Sequence, residues 1–164
     1  KGKHVVVITG GTGLAPVKSM LNKFYDEPDF TKSVHLISGF KNEDGIIFKG
    51  DLERWNEKFT TFYTLDKDHK DGWNTGFVTE FVSKVPFSEF DGDYEVVIVG
   101  PPPMMKFTGF EVIRQGVPEE KIWMSFERKM SCAVGKSGHC RIDEVYVCLD
   151  GPVFNYTQAK YLVD

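Results

Sequence analysis

Residues 5–16 read Val5-Val-Val-Ile-Thr-Gly-Gly-Thr-Gly-Leu-Ala-Pro16. The run Val5-Val-Val-Ile8 predicts a buried strand, and the glycines after it allow a tight turn into a helix. Free N–H groups at a helix start attract phosphate, and a proline suits the first helical position. The pattern is Gly-x-Gly-x-x-Pro rather than the dehydrogenase Gly-x-Gly-x-x-Gly. A plain strand-to-helix turn is the alternative to a pyrophosphate site, for which the candidates are Gly10, Gly11, Thr12, Gly13 and Pro16.

Strand-like apolar runs alternate with helical patterns along the rest of the chain. The predicted strands cover residues 4–9, 33–39, 60–65, 94–99 and 121–126. Helical spacing places Val17, Met20, Leu21 and Phe24 on one face of a first helix. Phe107, Phe110 and Arg114 predict another helix with its apolar members inward, and residues 48–59 and 77–85 predict two more. This order predicts an α/β fold with a five-stranded parallel sheet and helices on both faces.

A proline-rich stretch, Val97-Ile-Val-Gly-Pro-Pro-Pro-Met-Met105, follows the fourth predicted strand. It falls at the carboxyl edge of a parallel sheet, where open α/β folds bind their ligands. Consecutive prolines stiffen a loop that holds a flat ring in one pose. An ordinary turn with methionines packed in the core is the alternative. The candidates for a ring-binding loop are Gly100, Pro101, Pro102 and Met104.

The three cysteines of the chain lie close together near its end. Cys132, Cys140 and Cys148 fall on three of the four ligand positions of the plant-type iron-sulfur spacing Cys-x4-Cys-x2-Cys…Cys. Ser137 occupies the remaining ligand position, the second in the pattern. A serine hydroxyl loses its proton far less readily than a thiol, so we expect Ser137 to be a weak ligand or to leave a vacancy. A disulfide with a spare thiol, or a zinc site that includes His139, remains the alternative.

Composition narrows the class of protein. The chain has 164 residues, 41% of them hydrophobic, and a formal net charge of −4, which fits a globular core without a nucleic-acid-binding surface. No apolar run approaches the roughly 18 residues that span a bilayer, so we expect no membrane span. The chain starts at Lys1 and enters a strand at once, so we expect a cytoplasmic protein without a signal peptide and a fragment of a longer one.

Together these motifs resemble the ferredoxin-NADP reductase superfamily over essentially the whole chain. Its pyrophosphate loop resembles Gly11-Thr-Gly-Leu-Ala-Pro16, and its Cys-Gly-Pro loop resembles the stretch 99–105, with Val99 where cysteine often stands. The family's stretch between the third strand and the fourth helix resembles Asp71-Gly-Trp-Asn-Thr-Gly-Phe-Val-Thr79. The tail, from Glu127 to Asp150-Gly-Pro-Val-Phe-Asn-Tyr156, is similar to the electron-transfer subunits typified by that of anaerobic sulfite reductase. Sulfhydrogenase gamma subunits and the electron-transfer subunit of dihydroorotate dehydrogenase are similar too.

The resemblance implies a relay from NAD(P)H through FAD to a 2Fe-2S cluster, and onward to a catalytic partner subunit such as sulfite reductase. It implies a Rossmann-like NAD(P)H-binding domain over residues 1–127 and a small iron-sulfur lobe over residues 128–164. The family's N-terminal FAD-binding barrel has no counterpart in this sequence, so we expect the isolated fragment to be inactive. A nucleotide-binding module with a zinc-stabilised tail and no redox turnover, or a purely structural subunit, is the alternative.

The choice between NADH and NADPH stays open. Ser38-Gly-Phe-Lys41 follows the second predicted strand, where NAD dehydrogenases place an acidic residue. Lys41 and Lys49 could meet a 2′-phosphate, although lysines after a strand are more often surface charges.

Overall fold

A mostly parallel sheet organises the chain. The computed structural model describes residues 2–126, 141–142, 145–146 and 153–162. The sheet has seven strands in the order β4-β3-β2-β1-β5-β6-β9, and every pair is parallel except β6 with β9. Its members are β1 His4–Gly10, β2 Ser33–Phe40, β3 Thr60–Leu65, β4 Asn74–Thr75, β5 Tyr94–Val99, β6 Ile122–Ser125 and β9 Val153–Asn155. The strands β7 Arg141–Ile142 and β8 Val145–Tyr146 form a separate antiparallel pair.

The predicted α/β fold is confirmed, and all five predicted strands are present within one residue at either end. The sheet has two strands more than predicted, namely the edge strands β4 and β9. They have two and three residues, too few to show an alternating pattern in the sequence.

Helices cover both faces of the sheet. They are α1 Leu14–Asp26, α2 Lys49–Trp55, α3 Pro102–Arg114 and α4 Tyr156–Ala159, and a 3-10 helix spans Val78–Lys84 where a short fourth helix was predicted. Side chains alternate along β1, so Val5 and Val7 pack with α1 and α2, whereas Val6 and Ile8 pack with α3 and the 3-10 helix. Burial on both faces explains why the strands are continuous apolar runs.

The apolar spacing of α1 is confirmed, because Val17, Leu21 and Phe24 are buried and Met20, half-buried, packs against the same cluster. The predicted position of Pro16 is wrong, since a 3-10 turn over Gly11–Gly13 precedes α1 and Pro16 is its third residue. No helical hydrogen bond is lost there, because the first four N–H groups of a helix have no partner within it.

The predicted orientation of α3 is also wrong. Phe107 and Phe110 are 60% and 55% exposed, and the buried residues are Met105, Thr108, Gly109 and Val112. The small residue Gly109 sets this face: a Cβ there would lie 2.9 Å from atoms of Met124 and of Tyr156 in α4. The predicted proline loop is instead the first turn of α3, where a missing N–H removes no helical hydrogen bond.

Residues 153–162 return to the sheet. The Phe154 ring packs edge-on against the Phe126 ring at 5.6 Å between centroids, and β9 runs beside β6 with Val153 opposite Ser125. The segment between Phe126 and Val153 therefore starts and finishes at the carboxyl edge of β6.

Candidate functional site

A cleft of about 820 Å³ lies at the carboxyl edge of the sheet. The chain runs from β1 to β2 and β3 on one side, and then places β5 and β6 on the other side of β1. The strand order therefore reverses between β1 and β5. Open α/β sheets bind ligands at such a switch point, and here Gly10, the last residue of β1, and Pro101, just after β5, both line the cleft.

The glycine turn after β1, residues 10–13, packs closely against the turn at Gly100 after β5. Gly11 has φ +55°, a left-handed conformation that favours glycine. A Cβ at Gly13 would collide with the carbonyl group of Val99 and lie 3.0 Å from the Cα of Gly100. A Cβ at Gly100 would lie 2.6 Å from the sulfur of Met104. The absence of side chains thus lets the start of α1 approach the end of β5, with the Met104 side chain packed over the junction.

The predicted nucleotide-binding residues divide into three groups. Four of them line the cleft: Gly10, Gly11, Pro101 and Met104. Gly13 is buried and, like Gly100, lies behind the wall, where it supports the loop. The exposed residues Thr12, Pro16 and Pro102 are not on the wall, and Pro103 lines the cleft where Pro102 was expected. Because these prolines are helical, successive residues point in different directions.

Exposed aromatic side chains form much of the remaining wall. Phe77 is 57% exposed and lies with Val78 on one side, while Phe107 and Phe110 of α3 also line the cleft. The backbone N–H of Phe77 donates to the Glu80 carboxylate at 2.6 Å. Sequence reasoning missed Phe107 and Phe110 because it assigned them to the core, and it placed Phe77 and Val78 only at the start of a predicted helix.

Asp66 is a further cleft residue that sequence reasoning missed. It is the first residue after β3 and lines the cleft together with Lys41, and its backbone N–H donates to the carbonyl of Phe40 at 3.1 Å. Burial raises the pKa of the Asp66 carboxyl, and the nearby charges of Lys41 and Lys67 partly oppose this effect. NAD dehydrogenases place their acidic residue after the second strand, whereas Asp66 follows the third.

The predicted metal ligands Cys132, Ser137, Cys140 and Cys148 all lie outside the described residues. Within the described ranges, no three His, Cys, Asp or Glu side chains cluster as metal ligands would. Among the helices of those ranges, none has the length and apolar character needed to cross a membrane.

The fold and the cleft define a dinucleotide-binding module of the ferredoxin reductase type. The chain belongs to the oxidoreductase NAD-binding domain family, which it matches over residues 7–109. Residues 127–160 match a second family, the iron-sulfur cluster binding domain of dihydroorotate dehydrogenase B. The predicted resemblance to the ferredoxin-NADP reductase superfamily is thus confirmed.

Two curated relatives match nearly the whole chain, and a third matches about seven tenths of it. The gamma subunit of sulfhydrogenase 2 from Pyrococcus furiosus is 31% identical over 97% of this chain and 61% of its own length. The gamma subunit of sulfhydrogenase 1 from the same organism is 27% identical over 95% of this chain and 56% of its own length. NADH-cytochrome b5 reductase 2 from Xenopus laevis is 32% identical over 71% of this chain and 42% of its own. The chain therefore spans less than two thirds of each of these relatives.

A solved structure has the same arrangement. The NADH-dependent reduced ferredoxin-NADP oxidoreductase, described in work on flavin-based electron bifurcation, superposes with a TM-score of 0.70 at 26% identity. The superposition covers 98% of this chain and 54% of the chain of that oxidoreductase. These comparisons support an oxidoreductase role with an NAD-binding domain and an iron-sulfur domain.

Proposed function

We propose that this chain is the part of an electron-transfer subunit that binds NAD(P)H and a 2Fe-2S cluster. The nucleotide would donate a hydride to FAD held outside these 164 residues, and electrons would then reach a catalytic partner subunit. A flavin suits this position because it accepts two electrons together and releases them singly. The supporting observation is proximity: the segment that matches the iron-sulfur domain joins the sheet at Phe126 and Val153, on the edge where the nucleotide cleft opens.

The pyrophosphate would lie at the glycine turn. Gly10 and Gly11 border the cleft, and buried Gly13 allows the N-terminus of α1 to approach β5. The free N–H groups and the positive end of the α1 dipole favour a dianionic ligand there. Of the four residues that the resemblance implies at the nicotinamide, Pro101 and Met104 line the cleft and would border the ring, and Pro103 would take the place expected of Pro102. Gly100 would support them from behind, with the Met104 side chain packed against it and against Gly10.

The adenosine end would lie toward β3. The N–H of Gly76 donates to the carbonyl of Leu65 at 2.8 Å, which holds Phe77 beside Asp66. An aromatic face stacks on a base, and a carboxylate at the end of a strand accepts hydrogen bonds from ribose hydroxyls. The same carboxylate repels a 2′-phosphate, so we propose NADH as the preferred nucleotide.

The cluster would be held by Cys132, Cys140 and Cys148, with Ser137 as a weak fourth ligand. In this proposal residues 1–127 form the nucleotide-binding domain and residues 128–164 form the cluster-binding lobe, the last part of which returns to the sheet. The terminal acceptor would lie on a partner subunit. Resemblance in the tail favours sulfite reductase, and the sulfhydrogenase gamma relatives favour a hydrogenase-type complex.

Two measurements test the proposal. Calorimetric titration of the chain with NADH should show binding at a single site, and no detectable heat with either NADH or NADPH would refute the nucleotide-binding role. After anaerobic reconstitution, iron and sulfide analysis with a visible spectrum should show a coloured thiolate cluster. Stoichiometric zinc without visible absorption would instead support the nucleotide-binding module with a zinc-stabilised tail. Identifying the protein that co-purifies with the full-length subunit would then choose between the two partners.

A further inference from the structure

Thr108 is an unusual polar residue on the wall of the cleft. It lies in α3, is completely buried, and its hydroxyl has no hydrogen-bond partner within the described part of the chain. Other buried hydroxyls near the cleft are paired: Thr9 with Ser38 at 2.6 Å, and Thr64 as donor to the carbonyl of Gly76 at 2.7 Å. Leaving a buried hydroxyl unpaired is unfavourable, so such a group in a native structure requires an explanation.

The position of Thr108 along α3 indicates what it faces. It is four residues beyond Met104 and therefore lies on the same side of the helix, about 6 Å further along the axis. Because Met104 packs against Gly10 and Gly100, this displacement leads away from the glycine turns. Val78, from the 3-10 helix that packs against α3, lines the same cleft, as do Phe77 and Phe107 and, further along α3, Glu111 and Arg114.

We propose that the Thr108 hydroxyl forms a hydrogen bond with the edge of the adenine base of the bound nucleotide. This inference rests on the proposed nucleotide-binding function. The base needs apolar contacts on its faces and polar groups at its edge, and the wall formed by Phe77, Val78, Phe107 and Thr108 supplies both. A threonine in a helix adopts two χ1 rotamers, so its hydroxyl can turn toward a ligand without a change in the backbone.

The test compares Thr108→Val with Thr108→Ser in the intact chain. The valine variant removes the hydroxyl, so it should weaken binding of adenosine monophosphate and of NADH about fivefold to tenfold, measured by calorimetry. The valine variant should not change the affinity for nicotinamide mononucleotide, which lacks adenine. The serine variant keeps the hydroxyl and should bind adenosine monophosphate within about twofold of the unchanged chain.

Thermal unfolding without ligand provides an independent readout of opposite sign. Removing an unpaired buried hydroxyl should raise the Tm of Thr108→Val by about 2–4 °C. The matched control, Thr64→Val, removes a hydroxyl that already has a partner and should lower the Tm. This combination of higher stability and weaker binding is the signature of a group held ready for a ligand.

The possible results distinguish the role of Thr108 from the nucleotide-binding function. If the unchanged chain binds NADH and Thr108→Val binds adenosine monophosphate equally well, the role of Thr108 is refuted while the proposed function stands. If Thr108→Val lowers the Tm, the hydroxyl has a structural partner, and the inference is again refuted. If the unchanged chain binds neither NADH nor adenosine monophosphate, the nucleotide-binding function itself fails.

Discussion

Replacing Gly13 by alanine tests the glycine turn directly. The added Cβ would lie 2.7 Å from the carbonyl carbon of Val99 and 3.0 Å from the Cα of Gly100. Both are backbone atoms, so no side chain can rotate away, and either α1 or the end of β5 must shift. Such overpacking costs about 1–3 kcal/mol, which for a chain of this size corresponds to a fall in Tm of about 2–4 °C per kcal/mol.

The same shift moves the N–H groups proposed to hold the pyrophosphate. We therefore expect Gly13→Ala to bind NADH at least about tenfold more weakly, which corresponds to about 1.4 kcal/mol. Calorimetry at a temperature well below the unfolding transition separates affinity from stability. Gly50→Ala is the matched control: Gly50 lies in α2 with no atom within 4 Å of the added Cβ, and the change should stabilise the chain by about 0.5–1 kcal/mol.

One result would refute this reasoning. If Gly13→Ala shows the expected fall in Tm but binds NADH as tightly as the Gly50→Ala control, the turn is a packing device and the nucleotide lies elsewhere. Equal Tm values for the two variants would show that the start of α1 and the end of β5 do not pack as described.

Single residues carry three other predictions. Changing Asp66 to serine removes the charge that opposes a 2′-phosphate, so the ratio of NADPH to NADH affinity should rise about tenfold; an unchanged ratio would exclude Asp66 from the ribose site. Burial, with a smaller contribution from His4, lowers the pKa of His35 below its ordinary 6.5, so the unfolded chain binds more protons and stability should fall as the pH drops below about 6.5. Urea unfolding of His35→Leu should lose this pH dependence, and an identical profile would assign it to other groups. Ser137→Cys should raise the iron and sulfide content after anaerobic reconstitution, because a thiol loses its proton more readily than a serine hydroxyl; equal loading of both forms would show that Ser137 does not limit cluster assembly.

Local signals in the sequence were sufficient for the parallel core. The continuous apolar runs of β1 and β5 predict strands buried on both faces, and the glycines after β1 predict a turn, because each signal depends only on residues close together in the chain. The cluster spacing of Cys132, Ser137, Cys140 and Cys148 is equally local. It stays a prediction, since these residues lie outside the described ranges.

Tertiary packing decided which side chains reach the cleft. Helical periodicity identifies a face of α3 but does not say which neighbour it meets, so Phe107 and Phe110 were predicted to lie in the core. Gly109 packs closely against Met124 and Tyr156, so the face of α3 that carries Phe107 and Phe110 points outward instead. The cleft itself joins residues from β1, the end of β3, the stretch before the 3-10 helix and α3. Asp66, Phe77 and Thr108 are far apart in the chain, and only the order of the strands brings them to one edge of the sheet.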